Sequence, residues 1–253
     1  MTTSQNSRVV ILVKALPQPS KKYGETVCCA GVTADRQWKR LFPVRFRHLS
    51  GDSSFKRWDW VKFNYGQPVY DRRAESCHVH EESIDVGEPL PIVERSRLLN
   101  PMIAGSAKAA FAEGKSLALI RPRNTRFSWK AKTAEEIECE KEGYRRAARQ
   151  MSLLDEELAG LEPTPYDFRF KFEDEAGAHE YQNGDWESHA MFFQQARRTS
   201  GNDALKWMNH VFNEDYPKRG MAFALGNQAK RPQTWQLLGV LRLDASIQGE
   251  LSL

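Results

Sequence analysis

Hydrophobic and polar positions along the chain predict strands and helices in mixed order. The apolar run from Val9 is β-like and stops at Pro17 and Pro19. Residues 25–32 read as a second strand of small and β-branched side chains. The stretch RQWKRLFPVRFRHL then puts Trp38, Arg40, Phe42, Val44 and Phe46 at one parity and Lys39, Leu41, Pro43, Arg45 and Arg47 at the other. That alternation predicts a strand with an aromatic face on a core and a basic face toward solvent. Residues 55–63, FKRWDWVKF, repeat the interleaving of aromatics and cations.

Residues 92–113 carry an Ala-rich helical pattern, and Leu117 to Ile120 form a short apolar strand. The next segment, RPRNTRFSWK at 121–130, has no apolar period and reads as a loop, with Trp129 exposed. Thr133 followed by Glu136 is a capping box, and it opens an amphipathic helix expected over 133–158. Gly160, Pro163 and Pro165 end it. Residues 166–172 alternate again, helices follow at 186–198 and 203–213, and strands at 220–226 and 234–243 form a C-terminal β-hairpin.

The fold class is α+β, divided at residue 130 into a β-rich basic region (1–130) and an α+β region (131–253) that is helical and acidic. Charge sharpens the division. Residues 1–130 hold 22 Lys or Arg against 12 Asp or Glu, and residues 131–253 hold 15 against 21. A basic half attracts phosphate backbones or an acidic surface. Hydrophobic residues at 40 % and charged residues at 28 % fit a packed globular protein. No apolar run reaches the length of a membrane span. Cys28, Cys29, Cys77 and Cys139 lack a CxxC pair, so reduced thiols in the cytoplasm are expected.

Three basic-aromatic stretches (36–47, 55–63 and 121–130) suit nucleic acid, DNA or RNA: cations neutralise phosphates and exposed rings stack on unpaired bases. The contact residues would be Lys39, Arg45, Arg47, Lys56, Arg57, Arg121, Arg123, Arg126, Trp129 and Lys130. Alternation alone also accounts for such stretches, as core aromatics backed by solvated cations. The acidic half offers a surface to a protein partner. No cofactor is implied by this reading.

A rival reading is a nuclease in which His179, Asp185 and Glu187 hold Mg²⁺ or Mn²⁺. Asp185, placed before a helix, is equally explained as its N-cap. Cys77, His78 and His80 have no second pair at zinc-ligand spacing and read as strand residues. A third reading is an interaction subunit whose basic half meets an acidic protein.

The set KYGETVCCAGV, WKRLFPVRFRHL, PYDFRFKF, GDWES, FALGN and QLLGVLRL resembles a bacterial family of uncharacterised proteins, over most of the chain. The resemblance implies a CxxC pair and a His between the FRFKF-like strand and the DWE-like motif. This chain has EDEAGAHE there, with His179 alone, so the zinc site implied for relatives lacks its thiols.

Overall fold

Val9 to Val13 owe their unbroken hydrophobicity to burial on two sides. In the computed structural model, which describes residues 4–16, 18–20, 24–26, 28–45, 49, 53–69, 71–151 and 162–244, they lie in β1 (Gln5–Lys14). Val9 and Ile11 point into a barrel, while Val10 and Leu12 join a second core outside it. A short hairpin, β2 (Gln18–Ser20) and β3 (Gly24–Thr26), follows β1. The barrel continues through β4 (Cys29–Val32), β5 (Trp38–Phe42), β6 (Asp59–Gly66) and β7 (Ser76–Pro89).

Around the closed barrel the order is β1-β4-β5-β7-β6. β1 pairs antiparallel with both β4 and β6, and β5 runs parallel to β7. Leaving the hairpin aside, the first barrel strand neighbours the second and fourth, and the third runs parallel to the fifth. This is the topology of an OB-type barrel.

The chain then forms α1 (Ile92–Leu99), β8 (Ile103–Ala104), α2 (Ala107–Ala112) and β9 (Leu117–Ile120). Pro101 lies in a 3-10 turn after α1, so the single helix expected over 92–113 is two short ones. β10 (Arg123–Ala131) replaces the loop expected at 121–130. The capping box is formed: Thr133 N donates to Glu136 Oε2 (2.7 Å) and Glu136 N donates to Thr133 Oγ1 (3.1 Å). It opens α3 (Ala134–Met151), and the rest of the helix expected to 158 lies outside the described residues.

β11 (Tyr166–Asp174), β12 (Gly177–Gln182), α4 (Trp186–Arg198), α5 (Gly201–His210), α6 (Tyr216–Lys218), β13 (Met221–Gln228) and β14 (Arg231–Arg242) complete the molecule. β13 and β14 are the expected C-terminal hairpin.

A four-stranded sheet, β14-β13-β9-β8, is the middle layer. Leu117, Leu119, Ala222 and Ala224 on one face pack with Val10, Leu12, Ala30, Val32 and Trp38 on the outside of the barrel. Ala118, Ile120, Phe223 and Leu225 on the other face meet the sheet β10-β11-β12 and helices α4 and α5. Strands buried on both faces read as continuous apolar runs, which is why LALI and MAFAL carry no alternation. Among the described residues no helix is long and apolar enough to cross a membrane.

Candidate functional site

Of the arginines that the barrel sends to the middle layer, Arg73 donates to Asn227 O (2.8 Å), and two others, Arg57 and Arg40, end in different surroundings. Arg57 forms a buried ion pair with Asp185, and its Nη1 donates to Val240 O (3.0 Å). Asp185 is also the N-cap of α4, accepting from Glu187 N (3.2 Å), Ser188 Oγ (3.3 Å) and Val240 N (3.0 Å). Beside them Lys14 pairs with Glu187. Burial disfavours the Arg57 charge, and the carboxylates of Asp185 and Glu187 more than offset it, raising its pKa. Glu187 in turn is held below the usual carboxylate range: burial opposes this, and Arg57 and Lys14 prevail.

Arg40, on the outward face of β5, has neutral partners. Its Nη2 donates to Ser116 O (3.0 Å) and Ser116 Oγ (3.2 Å), and its Nη1 lies 3.9 Å from Cys28 Sγ. Ser116 relays to Glu75, whose carboxylate accepts from Ser116 N (2.8 Å) and Ser116 Oγ (3.0 Å). Gly226 leaves room for the guanidinium: a Cβ there would stand 3.3 Å from Arg40 Nη2 and only 2.5 Å from Leu238 Cδ1.

From Arg40 a cleft of about 700 Å³ opens between the rim of the barrel and strands β12, β13 and β14. Cys28 and Phe42 line its barrel side, and Tyr181, Asn183, Asn227 and Trp235 line the other. Asn227 and Trp235 are direct cross-strand partners. Ser116 O, which holds Arg40, also accepts from Asn227 N (3.0 Å), fixing Arg40 and Asn227 on one atom. Asn183 is tied to β11 through Phe168 O (2.8 Å), and its carbonyl meets His189 Nε2 (3.1 Å). Burial lowers the His189 pKa to about 4, so the ring is neutral and its Nε2–H donates to that carbonyl.

The contact residues anticipated from sequence are scattered. Lys39 reaches Tyr65 Oη (3.3 Å) and Arg45 Nε is paired with Glu81 (2.7 Å). Arg47 and Phe46 lie outside the described residues. Lys56 is exposed, and Arg57 is committed to Asp185. Arg121 Nη2 donates to Asn100 Oδ1 (2.8 Å), and Arg123 Nη2 to Asp174 O (3.1 Å).

Arg126 and Lys130 are exposed on one face of β10, and Trp129, 38 % exposed, is on the other, beside the buried Phe127. Sequence reading missed Arg169 and Lys171, which share the outer face of the sheet with Arg126 and Lys130; register pairs Arg126 with Lys171 across the strands. Glu180 lies 3.7 Å from Arg169 and 3.5 Å from Lys171. Glu180 and Gln182 of β12 run from this basic face into the cleft.

Within RQWKRLFPVRFRHL the expected faces need correction. Trp38 and Val44 are buried, but Phe42 is 38 % exposed, and Leu41 of the supposed solvent face fills the barrel. The reason is that both faces of β5 meet protein along most of its length, and only its end at Phe42 reaches the open cleft. The carboxylate group around Asp185 does not converge either. Asp185 faces Arg57, Glu187 faces Lys14, and His179 Nε2 is 2.8 Å from Asp174 Oδ1. Among the described residues no three His, Cys, Asp or Glu side chains are grouped to hold a metal ion. Cys77 faces the barrel interior, with His78 and His80 half-buried on the opposite side of β7. A second recess, of about 400 Å³, lies on the outer face of β1 and β6, where Arg8 covers the Trp60 ring at 4.9 Å beside Lys62.

The architecture is thus an OB-type barrel joined to a layered α+β unit, with a polar, aromatic cleft at the joint. Residues 102–250 match the family described as Domain of unknown function (DUF8757), and the chain belongs to it; residues 5–101 match Domain of unknown function (DUF8758). No curated protein matches the chain. The resemblance to uncharacterised proteins therefore holds.

Proposed function

We propose that the protein binds single-stranded nucleic acid, with unpaired bases entering the cleft at Phe42 and Trp235 and phosphates meeting Arg126, Lys130, Arg169 and Lys171. The observation that carries this reading is the position of the cleft. It opens on the β4–β5 face beside the β1–β4 connection, where OB barrels hold oligonucleotides or oligosaccharides. The likeness to OB barrels is one of fold, and the side chains add to it. Aromatic rings and amides suit unpaired bases, and a half holding 22 Lys or Arg against 12 Asp or Glu suits a polyanion. Most of the β1-β4-β5 outer surface is covered by the middle layer, so the protein would grip a short segment at the rim.

Fluorescence anisotropy with labelled single-stranded DNA and RNA over a range of salt tests the reading. Affinity should fall linearly on a log–log plot. Replacing Arg126 and Lys130 together by Ala should weaken binding uniformly across sequences and make the slope shallower by roughly 1.4, two single-strand contacts. Absence of binding at low salt would refute the proposal, and an unchanged slope would remove this face from it. The same mixtures with Mg²⁺ or Mn²⁺ show whether the strand is cut, as the nuclease reading requires.

A further inference from the structure

The second recess, on the outer face of β1, β6 and β7, brings together charges that the fold leaves uncompensated. Its lining is Asn6, Arg8, Trp60, Lys62, Asp85 and Gly87. Register sets Arg8 directly opposite Lys62 and Lys62 opposite Asp85, so cation, cation and carboxylate stand in one row across the strands. Like charges facing each other across a strand pair are destabilising. Among the described residues Arg8, Lys62 and Asp85 make no ion pair, whereas Lys14, Arg45, Arg57 and Arg95 each have a carboxylate. An anion seated between Arg8 and Lys62 would remove the repulsion.

The floor of the recess orients the first of these cations. Trp60 is half-buried, and the Arg8 guanidinium carbon lies over its ring, 4.9 Å from the centre. Packing on an indole restrains a guanidinium without using up its N–H donors, which stay free for a two-point contact with a phosphate. Gly87 keeps the wall of β7 low: a Cβ there would stand 3.7 Å from Arg8 Nη2, and a longer side chain would enter the space beside it.

Asp85 sets what else the ligand carries. A carboxylate beside a phosphate site repels a second anionic group and accepts a hydrogen bond from a hydroxyl. The recess, at about 400 Å³, has room for more than a phosphate. A sugar phosphate answers each feature, with its phosphate on Arg8 and Lys62 and a sugar hydroxyl on Asp85.

We infer that this recess is a second binding site, for the phosphate and hydroxyls of a sugar phosphate, either free or within the ribose-phosphate backbone of RNA. Arg8 and Ala15, which lines the rim cleft, are separated by about 23 Å of extended chain along β1. The site therefore stands apart from the cleft and does not depend on strand binding there.

Isothermal titration of the whole chain with ribose 5-phosphate, inorganic phosphate and ribose is the test. Ribose 5-phosphate should bind, phosphate should bind more weakly, and ribose should give no signal. Arg8→Gln and Lys62→Gln, at exposed positions and each verified as folded by its thermal transition, should each weaken ribose 5-phosphate about tenfold or more. Asp85→Ala should erase its advantage over inorganic phosphate. Repeating the titration with a short RNA strand present separates the two sources, and both results support the site: lost binding assigns the recess to the strand, and retained binding assigns it to a free sugar phosphate. Absence of ribose 5-phosphate binding, equal binding of inorganic phosphate, or binding that survives Arg8→Gln and Lys62→Gln would overturn the assignment. The rim cleft would stand untouched by any of these failures, because its own test is strand binding altered at Arg126 and Lys130.

Discussion

Two buried arginines, both contributed by the barrel and both at its junction with the middle layer, show how the same residue can close an interface or leave it open. Arg57 faces a carboxylate that is also a helix cap and a partner of Val240 N, so its charge is compensated where it lies. Arg40 faces the Ser116 carbonyl and hydroxyl, and the nearest carboxylate in its network, Glu75, is one hydrogen-bonded residue away. The first arrangement commits the guanidinium to a buried carboxylate and a carbonyl, with its Nε unpartnered. The second lies beside the rim cleft, with neutral partners and a carboxylate one residue away. What separates the two is the direct carboxylate partner, which Arg57 has in Asp185 and Arg40 lacks.

Substitutions at these two side chains separate the two arrangements. Arg57→Ala strands the Asp185 carboxylate in the interior and should cost about 3–5 kcal/mol in urea unfolding. Arg40→Ala removes bonds to neutral groups, so it should cost only about 1–3 kcal/mol. Equal or reversed costs would mean that Arg40 is the structural member of the pair.

The two ends meet at Asn183 and Asp185, and His189 sits against the first of them, so acid should loosen the joint by a further route. The folded pKa of His189, about 4, lies below the ordinary 6.5, so the unfolded chain binds the extra proton first. Stability is therefore fully present above pH 6.5 and is lost as pH falls toward about 4, by about 3 kcal/mol in total. Unfolding followed against pH should show this slope in the wild type and lose it in His189→Asn. Glu187, whose folded pKa is depressed, adds a loss only at lower pH, below the ordinary carboxylate value of 4.5. The smallest effect is expected at Trp129. Trp129→Ala should change stability by roughly 1 kcal/mol or less, against about 3–5 kcal/mol for its buried neighbour Phe127.

Much of this fold was legible because its strands and caps are local. YDFRFKF alternates at period two and is β11; Thr133 and Glu136 form the cap their spacing implies; Asp185 caps α4. The site was not legible in the same way. Asn227 and Trp235 become neighbours only through the register of β13 on β14, and Arg40 joins them through Ser116, 76 positions away. Phe127 looked aperiodic because β10 is polar along most of its length, and only the aromatic cluster of Phe168, Phe170 and Phe212 gives it a reason to be buried. Cation counts drew attention to Arg45 and Arg57, whose charges the fold pairs internally.

Ultraviolet cross-linking of the wild-type protein to a bound single strand, with the attached peptides mapped by mass spectrometry, tests whether nucleic acid enters at the rim cleft. Adducts are expected on the peptides carrying Phe42, Cys28 or Trp235. Adducts confined to the other recess, at Trp60 beside Arg8 and Lys62, would contradict entry at the rim.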